Sequence, residues 1–70
     1  MKVYNKEELF YKNILLAEEG VPPERIEVED EVIRIYSQNR VLEFSSNTLR
    51  GKALLDRLNY EGELTQEIYI

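Results

Sequence analysis

Apolar and polar residues change rhythm several times along this chain. Between Leu9 and Ala17 they recur at helical spacing, and at about 100° per residue Leu9, Phe10, Ile14, Leu16 and Ala17 fall on one broad face. The start signals stand just ahead of that stripe. Asn5 is a helix cap with Glu8 at the third helical position of a capping box, and Tyr4 and Leu9 occupy the two positions of a hydrophobic staple. Gly20 suits the left-handed end of a helix, and Pro22-Pro23 cannot continue one. The pattern predicts a first helix over residues 6–19. Tyr11 and Leu15 lie outside its inward face and form an i, i+4 pair among Glu7, Glu8, Glu18 and Glu19. Such a pair is either ordinary exposed surface or a stripe that meets a second subunit.

From residue 25 to residue 45 the rhythm becomes alternation, and its register is testable. With turns at Asp30-Glu31 and Gln38-Asn39, Ile26 pairs with Ile35 and Val28 with Ile33, while Ile35 also faces Leu42 and Ile33 faces Phe44. All six then share one face. On the other face Arg34 lies between Glu27 and Glu43, and Tyr36 meets Val41, so charge and size match across the strands as well. The expectation is a three-stranded antiparallel meander. Ser45-Ser46-Asn47-Thr48 ends it and supplies caps for a second helix over residues 49–59, where Gly51, Leu54, Leu55 and Leu58 have the spacing of a buried face. Gly51 leaves room there for close approach to the sheet or to the first helix.

The last segment alternates again. Leu64, Gln66, Ile68 and Ile70 form a mostly apolar side and Thr65, Glu67 and Tyr69 a mostly polar one, which predicts a final strand. The fold class expected is therefore α+β in the order α-β-β-β-α-β, as a single domain over residues 1–70 with both helices on one sheet face. The C-terminal strand is expected at a sheet edge or exchanged with a partner, because an unpaired apolar strand is an aggregation hazard. Ile68, Tyr69 and Ile70 thereby join Tyr11, Leu15, Tyr36 and Val41 as candidate interface residues.

Composition narrows the chemistry. The 70 residues include no cysteine and no histidine, so there is no disulfide or thiolate metal site and neither the commonest general base nor the commonest transition-metal ligand. The acidic turn Glu29-Asp30-Glu31 lacks the alternating ligands of a calcium loop, and its exposed carboxylates have no pocket to raise a pKa. No Gly-rich phosphate loop occurs. Ser45 to Thr48, followed by Arg50 and Lys52, read as plain capping before they read as an anion site. No enzyme activity, catalytic residue, metal, cofactor or small-molecule substrate is expected. With neither a signal-peptide core nor a membrane-length apolar run, the cytoplasm is the expected location.

Charge is uneven along the chain. The formal −5 averages residues 1–31, with 4 basic and 9 acidic side chains, residues 32–60, with 5 and 2, and residues 61–70, with 0 and 3. Arg50 and Arg57 stand seven apart on the second helix, with Lys52 elsewhere on its surface. The order helix, three strands, helix resembles that of the double-stranded-RNA-binding module. That family carries a lysine cluster at the start of its last helix, where this chain has only Arg50 and Lys52, and it lacks a strand after that helix. The resemblance covers element order alone. Three functions fit this pattern. The leading one is a small acidic non-enzymatic protein–protein interaction module that pairs with itself as a homodimer and with a further protein. The alternative is a nucleic-acid-binding regulator using Arg50, Lys52 and Arg57, which the acidic balance and the neutralised Arg34 count against. The third is an acidic inhibitor of the phage type, mimicking nucleic acid with Glu7, Glu8, Glu18, Glu19, Glu24 and Glu27.

Overall fold

The computed structural model describes residues 1–70 as β1 (Lys2–Asn5), α1 (Lys6–Tyr11), β2 (Ile14–Leu15), β3 (Arg25–Glu29), β4 (Val32–Tyr36), β5 (Val41–Ser45), α2 (Leu49–Asn59) and β6 (Ile68–Tyr69). It is a small α+β fold built on a four-stranded antiparallel sheet of order β1-β3-β4-β5. The central pairs put six apolar side chains, Ile26, Val28, Ile33, Ile35, Leu42 and Phe44, on one face. Ile26 lies opposite Ile35 and Val28 opposite Ile33; Ile35 in turn meets Leu42 and Ile33 meets Phe44. Asp30 closes the first turn with φ 52°, a left-handed conformation that aspartate tolerates better than most residues. Ser37 and Arg40 close the second around Gln38-Asn39, with the Ser37 N–H donating to Arg40 O at 2.9 Å.

α2 begins at its cap. The Thr48 hydroxyl accepts from the Gly51 N–H at 3.0 Å, and Gly51, Leu54 and Leu58 turn inward. Gly51 is required by space: a Cβ there would stand 2.1 Å from Ser45 O, against backbone that cannot step aside. Leu54 and Leu58 join Leu9, Ile14, Leu16, Ile26, Ile33, Ile35, Tyr4 and Ile70 in one buried cluster. No helix is long and apolar enough to cross a membrane.

The N-terminal third departs from the sequence reading in four respects. A strand precedes the first helix, since Lys2–Asn5 pairs antiparallel with β3, with Tyr4 opposite Ile26. The chain thus starts β-α, unlike the RNA-binding module's order. The capping box forms in full, with Glu8 N–H to Asn5 Oδ1 at 2.9 Å and Asn5 N–H to Glu8 Oε1 at 3.1 Å. The helix it opens nevertheless ends at Tyr11 rather than Glu19. Asn13 adopts φ 56°, its side-chain amide donates to Leu64 O at 2.8 Å, and its own carbonyl accepts from the Ile68 N–H at 2.8 Å. A residue that tolerates the left-handed region, held by the far end of the chain, stops the helix.

Because the helix stops there, the inward set changes too. Ile14 and Leu16 alternate into the core from an extended segment, while Phe10 and Ala17 are exposed instead of buried. The C-terminal strand is neither at the edge of the meander's sheet nor exchanged: β6 pairs parallel with β2 in a second, two-stranded sheet within the chain. That seam continues to the last residue, with Ile70 N–H to Leu15 O at 2.8 Å and Ala17 N–H to Ile70 O at 2.7 Å.

Candidate functional site

The candidate interface residues end up on different parts of the molecule. Tyr11 is 78% exposed in the last turn of α1, but Leu15, half-buried, lies in β2 opposite Tyr69, so the two do not make a helical stripe. Ile68 faces Ile14 across the seam, and Ile70, at 6% exposure, belongs to the chain's own core. Tyr69 is exposed, and its hydroxyl donates to the Glu67 carboxylate, which holds the phenol above its ordinary pKa. Tyr36 and Val41 do face each other, on the side of the sheet away from the core.

Two surfaces bear on the interface reading. The first is the outer sheet face with its β5 edge. There the Arg25 guanidinium lies 3.7 Å from the Tyr36 ring centroid and donates to Glu27 at 2.7 Å, the Tyr36 hydroxyl donates to Glu27 at 3.1 Å, and Arg34 donates to Glu43 at 3.2 Å. The Arg25 hydrogen bond is the main reason the Glu27 carboxyl sits below its ordinary pKa, with Tyr36 and the positive charge of Arg34 acting in the same direction. Every one of these charges is therefore matched within the face, and Val41, 53% exposed, ends it.

The phase of the β4–β5 ladder decides what the edge offers. The Ser37 N–H bonds Arg40 O and the Ser46 N–H bonds Glu31 O, at its two ends. Bonded and non-bonded pairs alternate in an antiparallel ladder, so Ile35–Leu42 and Ile33–Phe44 are the bonded pairs between them. Val41, Glu43 and Ser45 consequently turn their backbone N–H and C=O groups away from β4. Thr48 takes the Ser45 carbonyl, its hydroxyl donating at 2.8 Å. The groups of Val41 and Glu43 have no neighbouring strand, since β5 is the last strand of the sheet. The edge contains no proline.

The second surface surrounds α1. Phe10 is 61% exposed and meets the Tyr11 ring edge-on, centroids 5.9 Å apart. A groove lined by Lys6, Glu7, Phe10, Tyr11 and Pro22 adjoins a cleft that shares Lys6 and Pro22 and includes Leu16, Glu19, Val21 and Glu24. Phe10, Val21 and Pro22 were not candidate residues. In α1 it is Leu9 that turns inward, and Phe10, the next residue, points out.

The basic residues of α2 are mostly committed within the chain. The Arg50 guanidinium stacks 4.5 Å from the Phe44 ring centroid. Arg57 donates to Lys12 O at 3.3 Å and Gln66 O at 2.8 Å, joining α2 to both halves of the seam. Lys52 is exposed. The six glutamates weighed as a nucleic-acid mimic are likewise divided. Glu8 caps α1, Glu18 bridges Arg40 at 3.1 Å, Glu24 bridges Lys6 at 3.6 Å, and Glu27 holds Arg25. No group of three or more acidic side chains is placed to hold a metal ion. The chain matches no protein family, no curated protein and no solved structure.

Proposed function

We propose that this chain is a small acidic, non-enzymatic protein–protein interaction module of the cytoplasm, and that it forms a homodimer by antiparallel pairing of β5 with β5 of a second copy. The observation that carries the reading is the open β5 edge, where Val41 and Glu43 present backbone donors and acceptors beside an exposed valine. A strand of this kind, without proline or a covering element, is a template for another strand. Pairing about a two-fold axis closes the assembly and joins two four-stranded sheets into one of eight. Val41 and Tyr36 then extend an apolar strip across the new junction, while Arg34 keeps each Glu43 neutralised.

Sedimentation equilibrium over a dilution series tests this directly. The expected result is a species of twice the 8.3 kDa chain mass. Val41→Pro removes a donor that points away from β4, which a strand edge tolerates, and is expected to give a folded monomer. A single 8.3 kDa species of the unsubstituted protein at high micromolar concentration would overturn the dimer.

A further inference from the structure

We infer that the groove beside α1 is the docking site for a basic, apolar peptide segment of a partner protein, distinct from the β5 edge. Phe10 and Tyr11 are adjacent in sequence, pack edge to face, and both lie open at the same groove. Exposed aromatics in contact are costly to hydrate, and they offer ring faces to a cation and apolar area to an aliphatic side chain. Val21 and Pro22 add apolar area from the loop on the far side, and Val21 is itself largely exposed.

Charge selects the occupant. Around the two adjoining clefts stand one lysine and three glutamates. Lys6 and Glu24 neutralise each other at 3.6 Å, whereas neither Glu7 nor Glu19 has a basic partner within bridging distance. The adjoining clefts therefore combine exposed aromatic and apolar area with two unmatched carboxylates, Glu7 in one and Glu19 in the other. An acidic segment or a nucleic-acid backbone is repelled by this arrangement. A segment that alternates aliphatic and arginine side chains satisfies it, with a guanidinium over an aromatic ring or on a carboxylate and the aliphatic groups against Pro22 and Phe10.

The test is an amide-shift titration of the isotope-labelled full chain with a capped hexapeptide alternating leucine and arginine. The expected result is saturable shifts confined to residues 6–11 and 19–24. A glycine–arginine hexapeptide of equal charge is expected to bind about tenfold more weakly, and a leucine–glutamate one to give no shifts. Tyr11→Ser is expected to weaken the leucine–arginine peptide about tenfold while the rest of the spectrum is unchanged. If that variant does not fold, Glu19→Arg, in the adjoining cleft, is expected to produce the same loss. Shifts centred on β5, equal binding of the two arginine peptides, or no saturation would each overturn the groove. None of these results bears on the sedimented mass, so the homodimer stands or falls separately.

Discussion

The β3–β5 meander and the β2–β6 seam bury equally apolar side chains by different means. Ile35 in the meander and Ile14 in the seam are both fully buried. The first is held in a ladder of consecutive cross-strand pairs, the second by two parallel pairs between residues more than fifty positions apart. The meander recovers its chain entropy through short turns. The seam closes a long loop for little hydrogen bonding, so its stability rests on burial and on side chains that reach its backbone, Asn13 to Leu64 O and Arg57 to Gln66 O. Regular pairing is coded locally, and a seam is coded by what the rest of the molecule already holds in place.

The largest effect should come from the helix–sheet contact. Gly51→Val drives a side chain into Ser45 O and is expected to cost upwards of about 3 kcal/mol, enough to abolish a cooperative melt in a chain this small. Next in size, Ile35→Ala and Ile14→Ala should each cost about 2–5 kcal/mol in urea unfolding, because both leave a cavity in the same cluster. A cost below about 1 kcal/mol for Ile14→Ala alone would show that the seam is only fringe structure.

Asn13 refines the contrast. Asn13→Ala removes a hydrogen bond and strains the backbone at φ 56°, for about 1–3 kcal/mol, whereas Asn13→Gly keeps the conformation and should cost less. Equal losses would mean that φ contributes nothing. The smallest effect is one of pH. The folded Glu27 carboxyl titrates below its ordinary value of 4.5, so on acidification the unfolded chain takes up that proton first. Glu27's contribution is complete above that value and disappears as pH falls through the folded one. Glu27→Gln should flatten this part of the stability curve and leave the seam's hydrogen exchange unchanged.

The meander register, both turns and α2 from Leu49 to Asn59 follow from periodicity, because each is long enough to repeat its pattern. The seam is not legible in that way. Two-residue strands have no period, and Leu9 to Ala17 satisfy a helical stripe as well as they satisfy a short helix followed by an extended segment. The sign in the sequence is Asn13, a residue that tolerates the left-handed end of a helix much as glycine does, and it stands ahead of the stronger Gly20-Pro22-Pro23 signal. The open groove is not legible either, since a helical stripe that counts Phe10 as inward hides its exposure beside buried Leu9. Arg57 could not be read at all from spacing: its carbonyl partners, on Lys12 and Gln66, are defined only once the seam exists.

Ile70 also sets a timetable. At ribosomal speeds of about 5–20 residues per second, the stretch from Ala17 to Ile70 takes on the order of 3–10 s to add. Throughout that interval β2 has no β6 to pair with, and the cluster that holds Ile14 and Leu16 lacks Ile70. The meander can form on the nascent chain, but the core cannot close until residue 70 clears the exit tunnel. The β2 stretch around Ile14 and Leu15 is therefore the part of this protein that a chaperone at the tunnel mouth would meet without its partner strand.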